Sequence, residues 1–142
     1  MRIHKTLLIL YLTLLAPIVS ADIVLVANRD SGIERLSQSD VVNIYLGRYR
    51  RLATGSTAAP LDLSENTGSK ATFYRQLVDK NLAEINAYWS RLVFSGKTRP
   101  PQQVENAQEA LKVLAENPNA LAYMDRAAIN SQVVIVFEWP ET

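Results

Sequence analysis

The sequence has no cysteine, and its only histidine is His4. Disulfides therefore play no part in holding this chain together. From residue 22 onward there is neither His nor Cys. That removes Ser-His-Asp and Cys-His catalysis and takes away the usual ligands of zinc and copper. A carboxylate pair or a Ser-Lys dyad stays open on residue types alone, but Asp62, Glu65, Asp79 and Glu84 show no catalytic spacing. The expectation is a protein that is not an enzyme and carries no cofactor. A surplus of charge is missing too. Leaving out Arg2 and Lys5 of the first 21 residues, thirteen cations face fourteen acids, a net charge of −1. Non-specific nucleic-acid binding leans on a basic surplus, so nucleic acid is excluded as a partner.

Long apolar runs are also lacking beyond the start. Arg2 and Lys5 precede the apolar stretch Thr6 to Leu15, Pro17 breaks it, and Val19-Ser20-Ala21 offers cleavage subsites. The stretch is shorter than the roughly 20 residues that span a bilayer. Residues 1–21 therefore read as a cleaved secretory signal, with Asp22 the mature N-terminus. Residues 22–142 suit one domain able to bury a core without staples, exported and not membrane-spanning after cleavage.

What is present alternates strands with helices. Ile23 to Ala27 (I-V-L-V-A) and Val133 to Phe137 (V-V-I-V-F) are continuous apolar runs, as in strands buried on both faces. Ser37-x-x-Asp40 reads as a capping box opening a short helix through Leu46, with Gly47 as a left-handed stop. Leu61 to Leu63 is a short strand, and a helix follows from about Ser69 to Val78. Leu82 to Phe94 carries an apolar stripe of Leu82, Ile85, Trp89, Leu92 and Val93, with Trp89 read as core. Val104 to Glu116 reads as one amphipathic helix with Val104, Ala107, Leu111, Leu114 and Ala115 inward, stopped by Asn117-Pro118. Ala120 to Met124 is a strand, and Asp125 caps a helical turn at Arg126 to Ile129. The pattern predicts an α/β fold with a mixed β-sheet flanked by helices.

Asn66-Thr67-Gly68-Ser69-Lys70 lies between a strand and a helix start. Backbone N–H groups are unpaired there, the helix dipole adds partial positive charge, and Gly68 lets a ligand approach. That suits a small oxyanion, with Thr67, Gly68, Ser69 and Lys70 as the candidate ligand-binding residues; an ordinary N-cap is the bland alternative. Arg48, Tyr49, Arg50 and Arg51 form a small basic patch, read as a solvated loop, or else as a docking site for an acidic partner.

Three segments together carry a resemblance: Asn43-Ile-Tyr-Leu-Gly-Arg48, Thr67-Gly-Ser with Phe73, and Asn117-Pro-Asn-Ala-Leu-Ala-Tyr-Met-Asp125. In this order they resemble one lobe of the phosphate-type periplasmic substrate-binding proteins. That family carries an Arg, three residues, then Ser-Gly-Thr before a helix with Phe four residues on. Leu63 stands where its Arg would be, Leu52 where a Trp would be, and Asn119 and Ala122 replace two glycines. Asn119 is expected to hold the left-handed turn. The resemblance implies a single lobe of a type II periplasmic-binding-protein-like fold in the periplasm. It implies binding of phosphate or a related oxyanion, with an ABC permease or a membrane receptor as partner. The alternative is an accessory or sensory module that kept the fold but not phosphate binding.

Overall fold

The computed structural model describes residues 22–64 and 66–141; the expected signal segment lies outside them. In chain order the elements are β1 (Ile23–Asn28), α1 (Gln38–Tyr45), β2 (Ala59–Leu63), α2 (Gly68–Val78), α3 (Leu82–Ser95), β3 (Gln102–Val104), α4 (Ala107–Glu116), β4 (Ala120–Asp125), a 3-10 turn (Arg126–Ala128) and β5 (Val133–Glu138). The strands form one mixed sheet in the order β3-β2-β4-β1-β5. β1 lies antiparallel to both β4 and β5, while β2 lies parallel to both β3 and β4. The sheet thus changes sense at β4. Central position explains the I-V-L-V-A run, since Ile23 to Ala27 are all buried, as expected.

The helix starts follow their caps. Ser37 Oγ accepts from Asp40 N while Asp40 Oδ2 accepts from Ser37 N, the box expected at α1. Asn81 and Glu84 form a second box at α3. α4 differs from the expectation. Val104 belongs to β3, paired in parallel with Leu63 and buried. The helix opens only at Ala107, because Asn106 Oδ1 takes the Glu109 N–H at 3.0 Å. Its fully buried residues are Ala110 and Leu114, and Ala115 faces outward. On α3, Ile85 and Trp89 are buried as expected, but Val93 is 54% exposed.

Two expectations about loops are corrected. Asn119 is not left-handed: the only non-glycine residue described with positive φ is Asp79, which ends α2. The turn before β4 is held instead by Asn117 Oδ1, which accepts from Asn119 N at 2.9 Å. In the basic patch, Arg50 is half-buried rather than free in solvent. Its Nε donates to Ile44 O at 3.0 Å, satisfying a carbonyl at the end of α1, and burial pulls its guanidinium below its ordinary value. Arg48, Tyr49 and Arg51 are exposed.

Gly47 sets how α3 meets α1. Its φ is +70°, and a Cβ there would stand 2.7 Å from Thr98 Oγ1 and 2.9 Å from Trp89 Cη2. Tyr88 donates its hydroxyl to Leu46 O beside it, at 2.7 Å. Backbone hand and close packing both demand glycine. Gly47→Ala is expected to cost ~2 kcal/mol or more, read by urea denaturation; a change below about half a kilocalorie, within the range of an ordinary surface substitution, would show that this contact does not constrain the fold.

Candidate functional site

α2 begins where β2 ends, so its first turn emerges beside the sheet. Thr67 is the N-cap, in extended conformation, but its side chain does not cap: Oγ1 donates to Ser64 O at 2.9 Å. Its hydroxyl proton is thereby committed. The amides of Gly68 and Ser69 have no acceptor among the described residues. Gly68 is exposed, and a Cβ placed on it meets nothing within 4 Å. Ser69 is half-buried, and its hydroxyl also has no partner among the described residues. Two amides and one hydroxyl are therefore without a partner among the described residues at the positive end of an eleven-residue helix.

Lys70 goes the other way. It is 2% exposed, and its Nζ lies 3.6 Å from Asp62 Oδ2 on β2. Thr67, Gly68 and Ser69 are thus brought to one surface, while the Lys70 side chain points into the molecule.

Asp62 is the polar residue that sequence reasoning passed over. Its carboxylate is buried and accepts hydroxyl protons from Tyr74 on α2, at 2.9 Å, and from Tyr123 on β4. Tyr123 Oη in turn accepts the Leu63 N–H at 3.0 Å. Burial pushes the Asp62 carboxyl above the ordinary carboxylate range, and the Tyr123 bond, the Lys70 charge and the Tyr74 bond pull it back. Burial and then the Asp62 charge push the Tyr74 and Tyr123 phenols far up, so both stay protonated and donate. The signal for this cluster was present: a lone acid in an apolar strand, facing Lys70 and Tyr74 at helical i, i+4 spacing. Leu63, where the family's Arg would stand, is a buried core residue. No group of three or more acids able to hold a metal ion occurs among the described residues.

A buried carboxyl with a raised pKa favours the folded state most when protonated. The stability it contributes is full below the ordinary carboxylate range and is lost as pH rises through the raised value. Lys70 offsets that loss at neutral pH. Lys70→Met is therefore expected to cost about 3 kcal/mol at pH 7 and clearly less near pH 4, where Asp62 takes up a proton. Equal losses at both pH values in denaturant titrations would show that the pair is not coupled.

No family model matches the chain, and no curated protein matches it in sequence. Solved structures do match in fold. An ABC-type phosphate transport receptor from Vibrio cholerae superposes with a TM-score of 0.64 at 11% identity, over 81% of this chain and 45% of that one. A substrate-binding protein assigned to a phosphate ABC transporter of Clostridium perfringens, with bound phosphate, gives 0.64 at 13% identity, over 81% and 44%. PstS from Borrelia burgdorferi gives 0.56 at 12% identity, over 74% and 40%. The chain spans less than half the length of each of these structures. Its fold is a partial lobe of the type II periplasmic-binding-protein-like architecture, as the three sequence segments implied.

Proposed function

We propose that this chain is an exported solute-binding module that holds phosphate or a related oxyanion at the N-terminus of α2. In this reading it works in the periplasm with an ABC-type importer and carries out no covalent chemistry. The observation that carries the reading is that the Gly68 and Ser69 amides have no acceptor among the described residues, beside an exposed Gly68, on a lobe whose fold matches phosphate-transport binding proteins. The ligand would be held by the Gly68 and Ser69 amides and the Ser69 hydroxyl, favoured by the helix dipole. Thr67 would shape the turn through Ser64. Lys70 would act from below, its charge balanced by Asp62.

One observation favours a second reading. The cradle has no side-chain cation of its own, because Leu63 is core and Lys70 is paired inside. An accessory or sensory module, docking on a transporter or membrane receptor without holding free phosphate, fits that arrangement.

Calorimetric titration of residues 22–142 with phosphate and sulfate separates the two. The first reading expects saturable binding. Ser69→Asp should abolish it by putting a carboxylate in the cradle, while an acid in the first turn supports the helix, so the loss will not come from unfolding. Gly68→Ala should keep the fold and weaken binding about tenfold, or about 1.4 kcal/mol, because the methyl fills the approach. A folded protein that takes up neither anion would transfer the assignment to the docking module.

A further inference from the structure

A groove of about 610 Å³ lies between α3 and the start of β3. Neither Thr67, Gly68 nor Ser69 lines it. Six of its eleven lining residues are apolar: Ile85, Trp89, Val93 and Phe94 from α3, with Pro100 and Pro101. The helical positions recur at intervals of about four residues, so these side chains share one face. That face is not closed over. Phe94 is 96% exposed and Val93 54% exposed, which leaves an aromatic ring and a branched side chain in water at the groove. The volume falls within the roughly 300–1,000 Å³ of small-molecule sites, which pair apolar walls with a few placed polar groups.

Its polar lining residues are Asp62, Lys70, Asn86, Ser90 and Gln103, and of these only Asp62 and Lys70 are buried. Their side chains are 3% and 6% exposed. One Asp62 oxygen takes the Tyr123 hydroxyl, and the other takes the Tyr74 hydroxyl and faces Lys70. The carboxylate is well supplied with donors. The Lys70 ammonium is not: it carries three N–H donors, and Asp62 is its one partner among the described residues. The pair is neutral as a whole. A ligand carboxylate would meet the Asp62 charge, and a ligand ammonium would meet Lys70. An uncharged oxygen acceptor meets neither penalty and satisfies a spare donor.

We propose that this groove binds a small, uncharged, mainly apolar organic molecule bearing a carbonyl or hydroxyl oxygen. Its body packs against Trp89, Phe94, Pro100 and Pro101, and its oxygen accepts from Lys70 Nζ. None of Thr67, Gly68 and Ser69 lines the groove; Lys70 is the one residue shared with the oxyanion reading, and the two assignments are read by separate titrations.

The probe is prodan, a neutral naphthalene ketone whose emission shifts to the blue in apolar surroundings. Titrated with residues 22–142, it should show saturable blue-shifted fluorescence. Phe94→Ser should weaken binding about tenfold, the scale of one lost apolar contact. Ser90→Trp should abolish it by filling the groove from an exposed helix position. Both positions are exposed, and circular dichroism will confirm that each variant is folded. The parent 2-dimethylaminonaphthalene, which lacks the ketone, should bind about tenfold more weakly, the scale of one hydrogen bond. No saturable signal, or a signal unchanged in both variants, overturns the proposal. So does a signal that rises only with a dimer seen by light scattering, since a second copy would then be covering the groove.

Discussion

A buried carboxylate must be supplied with donors, and the arrangement of this lobe follows from how Asp62 is supplied. Its partners come from different elements: Tyr74 and Lys70 from α2, Tyr123 from β4. Leaving any of them unmet costs far more than a surface contact. α2 therefore docks on the sheet in the one rotation that turns Lys70 and Tyr74 toward β2. Around this polar centre the aromatic rings close. Phe73 stacks on Tyr123 with centroids 3.9 Å apart, and Tyr45 meets Phe73 edge-on at 4.9 Å. Tyr45 also donates to Leu61 O, pinning the end of α1 to β2.

The same rotation decides what the first turn of α2 offers to solvent. With Lys70 inward, the outward surface keeps only backbone donors and a serine hydroxyl. Charge that would strengthen an anion site is spent on cohesion. The three matched structures are each more than twice as long as the part that this chain covers. An anion held here would depend on dipoles and backbone amides.

Much of this was legible in the sequence. Apolar runs marked β1 and β5, a capping box marked α1, an apolar stripe marked α3, and alternation of elements marked the sheet as mixed, because each signal is local. β3 was missed because three residues held by parallel pairing to a distant strand leave almost no local pattern. Val104 looked helical because its spacing to Ala107 and Leu111 mimics a helix face, and only the Asn106 cap separates them. In the candidate site, Thr67, Gly68 and Ser69 could be placed at a helix start from residue types alone. The direction of Lys70 could not, since it is fixed by Asp62 across the α2–β2 interface. Trp89 read as core, but the exposure of Phe94 depends on how the 96–101 segment runs, which composition does not encode.

β1 is an interior strand of the sheet although it is the first of the described elements, and its flanking strands, β4 and β5, are the last two strands described. Val24 pairs with Met124 on one side and Glu138 on the other. Until Val133–Glu138 is available, the most apolar strand of the chain has no partner on that edge. Closing that gap brings together segments far apart in sequence, a step penalised by the entropy of the intervening loop. Loss of β5 would leave the Ile23–Ala27 run exposed as an adhesive edge rather than merely shorten the sheet.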